Sequence, residues 1–208
     1  MSPSCATMKV APKLIFLFKD PSGVGPAIFS ALQQQPNNNN NLQPKETPFE
    51  LSLDKYGIKD LRASGDLLHF IDHQGSYQVT VLLMENYEPP VVACAINQVL
   101  QSVILEDNSS SMPPTLLLPF VVQANSRFHW ETNDTAVRLY ATHIGPETDL
   151  LRSMLAASIK QPPPSLQIHY EPLACLIHFA RVLNLPTLLL IGGPPQQARD
   201  KYIEHGKG

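Results

Sequence analysis

The sequence predicts an α/β fold: a mixed β-sheet covered by helices, in a single layered domain over residues 1–208. Three observations predict it. Short continuous apolar runs, such as Lys13–Phe18, Leu116–Val122 and Thr187–Ile191, read as strands buried on both faces. Longer stretches carry apolar residues at helical spacing. The two kinds of stretch alternate along the chain, as they do when helices pack on a sheet. With 208 residues, 43% of them hydrophobic and 16% charged, the chain is long and apolar enough for one sizeable core.

Each element follows in order. Lys13-Leu-Ile-Phe-Leu-Phe18 reads as a central strand. Asp20–Gly25 reads as a loop, and Pro26–Leu32 as a first helix with proline at its start. Gln33–Pro48, "QQQPNNNNNLQPKETP", is polar and of low complexity, and is expected to be a disordered insertion. Phe49-Glu-Leu-Ser-Leu53 alternates like a half-buried strand. Leu67–Asp72 and Ser76–Met84, joined through His73-Gln-Gly75, read as a hairpin. Tyr77, Val79, Val81 and Leu83 share one face of its second strand, with Leu82 and Met84 on the other.

Glu88–Leu105 begins with two prolines and then repeats apolar residues at Val92, Ala95, Ile96, Val99, Leu100 and Val103, a helical pattern. Asp107–Pro114 is a polar loop. In the strand Leu116–Val122, Pro119 removes a ladder donor, which predicts a sheet edge or a bulge. Ala136–Thr142 reads as a strand. Gly145–Asp149 opens a helix with Leu150, Leu151, Met154 and Leu155 on one side, broken off by Pro162–Pro164. Pro172–Leu183 is a strongly apolar helix ended by Asn184 and Pro186, and Thr187–Ile191 follows as a strand. The end at Gly206-Lys-Gly208 carries no terminal element, which suggests a shortened form.

Composition excludes several classes of function. The formal charge is -3 with no basic run, which argues against a nucleic-acid partner. The apolar run Leu14–Phe18 is too short for a signal peptide and is followed by Lys19-Asp20. No stretch approaches the ~20 apolar residues of a membrane span. Cys5, Cys94 and Cys175 are too scattered for a disulfide framework or a zinc pattern, and read as reduced thiols. The glycosylation patterns at Asn108 and Asn133 matter only on a secreted chain. The expected location is the cytoplasm, with the nucleus as a second compartment.

The candidates for chemistry each carry a weakness. Asp20-Pro-Ser-Gly-Val-Gly-Pro26 has G-x-G without the third glycine of a dinucleotide fingerprint or the Gly-Lys-Ser/Thr of a P-loop. Ile191-Gly-Gly-Pro-Pro195 loses to its prolines the N–H donors that a phosphate would use. Both read as structural turns. His69 and His73 lie four apart, but a strand would hold them ~13 Å apart, too far to share a metal. Cys175 and His178, three apart on an apolar helix, read as core packing rather than a nucleophile pair. Glu85 and Glu88 sit where a strand ends, where α/β sites often lie, but read as solvated loop acids. Phe128-His-Trp130 is a contact element or a loop anchor. The residues therefore assign no catalytic, cofactor-binding or metal site, and no cofactor.

Four stretches carry a family resemblance. They are "PFELSLDKYGIKDL" (Pro48–Leu61), "YQVTVLLMENYEPPVVACAINQVLQSVI" (Tyr77–Ile104), "THIGPETDLLRSMLAA" (Thr142–Ala157) and "EPLACLIHFARVLNLPTLLLI" (Glu171–Ile191). In pattern and order, from about Phe49 to Ile191, they resemble the proteasome assembly chaperone 1 family. The resemblance implies a non-enzymatic chaperone. It would form a heterodimer with a second proteasome assembly chaperone and promote assembly of the 20S proteasome α-ring from its α subunits. Members of that family commonly end in a hydrophobic residue, Tyr and any residue. Here the end is His205-Gly-Lys-Gly208, with Tyr202 internal, so docking through such a tail is not implied. The partner-contact residues stay unknown. The alternatives are a small α/β hydrolase or nucleoside-binding enzyme using the glycine turns, and an interaction module with some other partner.

Overall fold

A computed structural model describes residues 8–34, 42–106, 112–122, 139–156, 160–164 and 166–193. Seven strands form one sheet: β1 (Lys13–Phe18), β2 (Gln43–Ser52), β3 (Arg62–Ile71), β4 (Tyr77–Met84), β5 (Thr115–Val121), β6 (Leu139–Ile144) and β7 (Thr187–Gly192). Their order across the sheet is β2-β3-β4-β1-β5-β7-β6. β1 runs parallel to β4 and β5, and β5 parallel to β7. The β2/β3, β3/β4 and β6/β7 pairs are antiparallel. The sheet is therefore mixed, as expected, with a parallel centre.

Four helices cover it: α1 (Val24–Gln34), α2 (Val91–Glu106), α3 (Asp149–Leu155) and α4 (Glu171–Val182). Strand alternation sorts the side chains into layers. Leu14, Phe16 and Phe18 of β1 meet Leu116 and Leu118 of β5, with Ile96 and Leu100 of α2 and Leu173 and Leu176 of α4, in the largest core cluster. Ile15 and Leu17 face the other way and meet Phe29 of α1, with Val81 and Leu83 of β4. Farther along that second face, Leu151 of α3 packs with Ala141 and Leu188. The continuous apolar runs are explained: the central strands are covered on both faces.

The ends of the elements follow local chemistry. Thr148 caps α3, its Oγ1 accepting from the Leu151 N–H at 3.3 Å. α4 closes with Asn184 at φ 53°. The Asn184 N–H donates to the Arg181 carbonyl (3.1 Å) and the Leu185 N–H to that of Ala180 (2.9 Å). That pair of bonds is a Schellman closure, with asparagine in the usual glycine position.

Two expectations are corrected. Of the insertion expected over about 33–48, residues 35–41 lie outside the described residues. Gln33 and Gln34 close α1, and β2 begins at Gln43. Residues 43–46 are exposed, so no apolar alternation marks them as strand; antiparallel pairing with β3, from Gln43↔Ile71 to Ser52↔Arg62, holds them there. β2 is an edge strand, and Pro44 and Pro48, of one parity, suit a free edge that needs no N–H donor.

The second correction concerns Pro119, whose strand lies inside the sheet between β1 and β7. Thr115 donates its N–H to Pro12 on the β1 side, whereas Leu116 and Val122 donate to Pro186 and Gly192 on the β7 side. Odd positions of β5 thus face β1. The β1/β5 pairing ends at Ile15↔Leu117, so the N–H missing from Pro119 faces a gap. The other expected strands and helices form near their predicted bounds, except that β3 begins at Arg62, before the expected Leu67; of the expected strand Ala136–Thr142, residues 136–138 lie outside the described residues.

His69 is 3% exposed on β3. Its Nδ1 lies 3.0 Å from Thr80 Oγ1, which also accepts from the Ala11 N–H at 2.9 Å. Its ring stacks on Tyr77 with centroids 4.4 Å apart. Burial, and secondarily the charge of Lys45, push its pKa below the usual histidine value. The folded state therefore resists a proton that the unfolded chain accepts below about pH 6.5. Stability from this site is complete above that pH and lost as pH falls through the folded pKa, with a slope of at most about 1.4 kcal/mol per pH unit. Urea denaturation of His69→Gln from pH 8 to pH 5 should show a shallower loss than the wild type.

Candidate functional site

β1 and β5 part company after Ile15↔Leu117. From β1 the chain leaves toward one edge of the sheet, and from β5 toward the other. Such a switch point opens a crevice at the carboxyl ends of the strands. Here the crevice is a cavity of about 690 Å³. Phe16 and Phe18 of β1, Ile28 of α1, Pro119 and Phe120 of β5, and Leu173 of α4 supply its apolar walls. Asp20, Ser22, Gln167, His169 and Tyr170 supply its polar groups.

Asp20 is held at the start of α1. Its Oδ1 accepts from the Gly25 N–H at 2.7 Å, and its Oδ2 from the Val24 N–H at 3.3 Å and from the Ser22 hydroxyl. α1 can begin this close to β1 because position 25 is glycine: a Cβ there would stand 1.9 Å from the Phe18 carbonyl oxygen. The G-x-G turn therefore lines the cleft, but its donors already serve Asp20. In the second turn, Gly192 ends β7 and its carbonyl accepts from Val122; Pro194 and Pro195 lie outside the described residues.

Tyr170, just before α4, faces the same cleft. Its ring meets Phe18 edge-on, with centroids 5.8 Å apart, and Phe16 and Phe18 lie 5.3 Å apart. Among the described residues its buried hydroxyl has no hydrogen-bond partner. Burial, and then the charge of Asp20, push its pKa up to about 12.

A charged cluster stands where β1 and β4 end. Lys19 pairs with Asp66 of β3 at 3.1 Å and, closer still, with Glu85. Lys19 and Asp66 are about one-third exposed, at 33% and 31%. The hydrogen bond to Glu85 and that to Asp66, against some desolvation, raise the lysine pKa. Beside them Tyr87 Oη donates to the Arg62 carbonyl at 2.7 Å and accepts from the Ser64 N–H at 2.8 Å.

The residues singled out by sequence fall as follows. His69 is on a strand and buried, and His73 is exposed in the turn. Glu85 is engaged by Lys19, while Glu88 is exposed, so the two acids form no pair. Cys175 is half-buried, and burial, with the charges of Glu171 and Cys94, raises its thiol pKa, the reverse of nucleophile activation. His178 is exposed, which corrects its assignment to the core. α4 buries one stripe, Leu173, Leu176 and Ala180, and turns His178 and Val182 to solvent. Phe128–Trp130 lies outside the described residues.

Sequence reasoning missed Lys19, Asp66 and Tyr170. For Lys19 and Glu85 a signal existed, because each directly follows an apolar strand. Among the described residues no three His, Cys, Asp or Glu side chains stand together as metal ligands, and no helix is long and apolar enough to cross a membrane.

The chain is a mixed-sheet α/β protein with a cleft at its switch point, and its fold is similar to that of several solved structures. It belongs to the family described as a domain of unknown function, DUF7894, whose model matches residues 8–206. No curated protein matches it. It is similar to Pyrococcus furiosus PbaA, an archaeal homolog of proteasome-assembly chaperone. The TM-score is 0.52 at 12% identity, covering 96% of this chain and 77% of that one. It is also similar to Pyrococcus furiosus PbaB, an archaeal proteasome activator, with a TM-score of 0.51 at 9% identity, covering 93% of this chain and 79% of that one. A Mycobacterium tuberculosis protein of unknown function has a TM-score of 0.52 at 12% identity, covering 98% and 70%. At such identities the likeness is one of fold.

Two substitutions probe the site. Lys19→Met leaves Asp66 and Glu85 facing each other, and should cost about 1 kcal/mol at pH 7. Urea denaturation of the variant and the wild type at pH 7 measures it. Tyr170→Phe removes a buried hydroxyl that has no partner among the described residues. It should raise stability by about 1 kcal/mol, read as a higher midpoint in thermal denaturation.

Proposed function

We propose that this protein is a non-enzymatic proteasome assembly chaperone. In this reading it forms a heterodimer with a second assembly chaperone and promotes assembly of the 20S proteasome α-ring, in the cytoplasm and the nucleus. The observation that carries the reading is the fold shared with PbaA over 96% of the chain. The ordered resemblance of Phe49–Ile191 to the proteasome assembly chaperone 1 family supports it independently. The chemistry of the named side chains fits as well. Lys19 is tied up by two carboxylates, burial raises the pKa of the Cys175 thiol, and the glycine turn spends its donors on Asp20. An assembly factor works through buried area and a few anchor residues rather than through activated groups.

A small α/β hydrolase or nucleoside-binding enzyme is the second reading, and the cleft between β1 and β5 favours it. Affinity purification of the protein at native expression, with its C-terminus free of any tag, separates the two. Mass spectrometry should recover a second assembly chaperone and proteasome α subunits. Recovery of neither would sink the chaperone reading.

A further inference from the structure

We propose that the cleft at the carboxyl ends of β1 and β5 binds a small organic cation: an amine carried on an apolar ring. The volume, about 690 Å³, lies in the range of small-molecule sites and sits at the sheet's switch point. The cleft is built rather than incidental. Pro119 withholds a donor where β1 and β5 separate, and the glycine at position 25 lets α1 start against β1. Neither the partner nor the enzyme reading is needed for it.

Charge decides the class of ligand. Asp20 is an acid lining the cleft, and no lysine or arginine lines it among the described residues. The start of α1 would attract an anion. Its Val24 and Gly25 N–H groups, however, are already bonded to the Asp20 carboxylate, whose charge repels a second anion.

A carboxylate offers about four acceptor positions, and Val24, Gly25 and Ser22 use three. An ammonium group has donors and no acceptor. It can donate to the remaining position on Asp20 and to the Tyr170 hydroxyl, which has no partner among the described residues. The rings of Phe16, Phe18, Phe120 and Tyr170 attract a cation through their faces and hold the apolar body.

Three indoles of similar shape test this at pH 7 and low salt: tryptamine, a cation; tryptophol, neutral; and indole-3-propionate, an anion. Saturation-transfer NMR and calorimetry on the full chain should place tryptamine at least tenfold tighter than indole-3-propionate, with tryptophol between. Asp20→Asn keeps an acceptor for the start of α1. It should weaken tryptamine at least tenfold and leave tryptophol unchanged. Ile28→Trp, which fills the cleft from α1, should weaken all three at least tenfold. If Asp20→Asn does not fold, the wild-type ranking and Ile28→Trp decide. Equal or tighter binding of the anion, no binding of tryptamine in the millimolar range, or binding unaffected by Ile28→Trp would overturn the proposal.

Discussion

Strand β1 is gripped on four sides, and the rest of the molecule is arranged around that grip. It pairs in parallel with β4 along five residues, Leu14↔Thr80 to Phe18↔Met84, and with β5 along three, Lys13↔Thr115 to Ile15↔Leu117. Leu14, Phe16 and Phe18 enter one core cluster, and Leu17 enters the other. A strand so placed has its side chains desolvated on both faces, which orients the neighbouring strands and covering helices. The inequality of the two pairings matters most. β4 follows β1 to its end, while β5 leaves early, and the space between the last residues of β1 and β5 becomes the cleft.

Two small features keep that space open. Pro119 cannot donate on the side where β1 would have continued. Gly25 allows the first turn of α1 to press on the Phe18 carbonyl, which brings Asp20 and Ser22 to the rim. On the β4 side of β1, Lys19 bridges to Glu85 and Asp66, so the closed side of the strand end is charged and tied down. The open side is aromatic, with the Asp20 carboxylate among the described residues that line it. A scaffold of this kind can present a surface to a partner and still hold a ligand, because the two demands fall on different parts of it.

Much of the fold was legible because burial on two faces leaves a strong mark. Lys13–Phe18 and Thr187–Ile191 are apolar at nearly every position, and the Schellman end of α4 is written in Asn184 and Pro186. The start of β2 was not legible, because Gln43–Glu46 are exposed and owe their conformation to pairing with β3. Pro119 was misread for a related reason: its rule concerns a missing donor, and which neighbour would have received that donor is a property of the sheet. His178 was misjudged because an apolar helix resting on one layer still exposes a stripe.

The sequence by itself determined the layered α/β class, the elements of the core and the absence of familiar nucleophile, phosphate-loop and zinc patterns. Those depend on local periodicity and spacing, which a chain carries without folding. Only the tertiary structure decided that Lys19, Asp66 and Glu85 meet, that Tyr170 and Asp20 line one cleft, and that β1 and β5 separate around a cavity. Those residues lie between 19 and 150 positions apart in the chain. What brings them together is strand order and the point where one ladder ends, and both are properties of the whole sheet rather than of a local stretch.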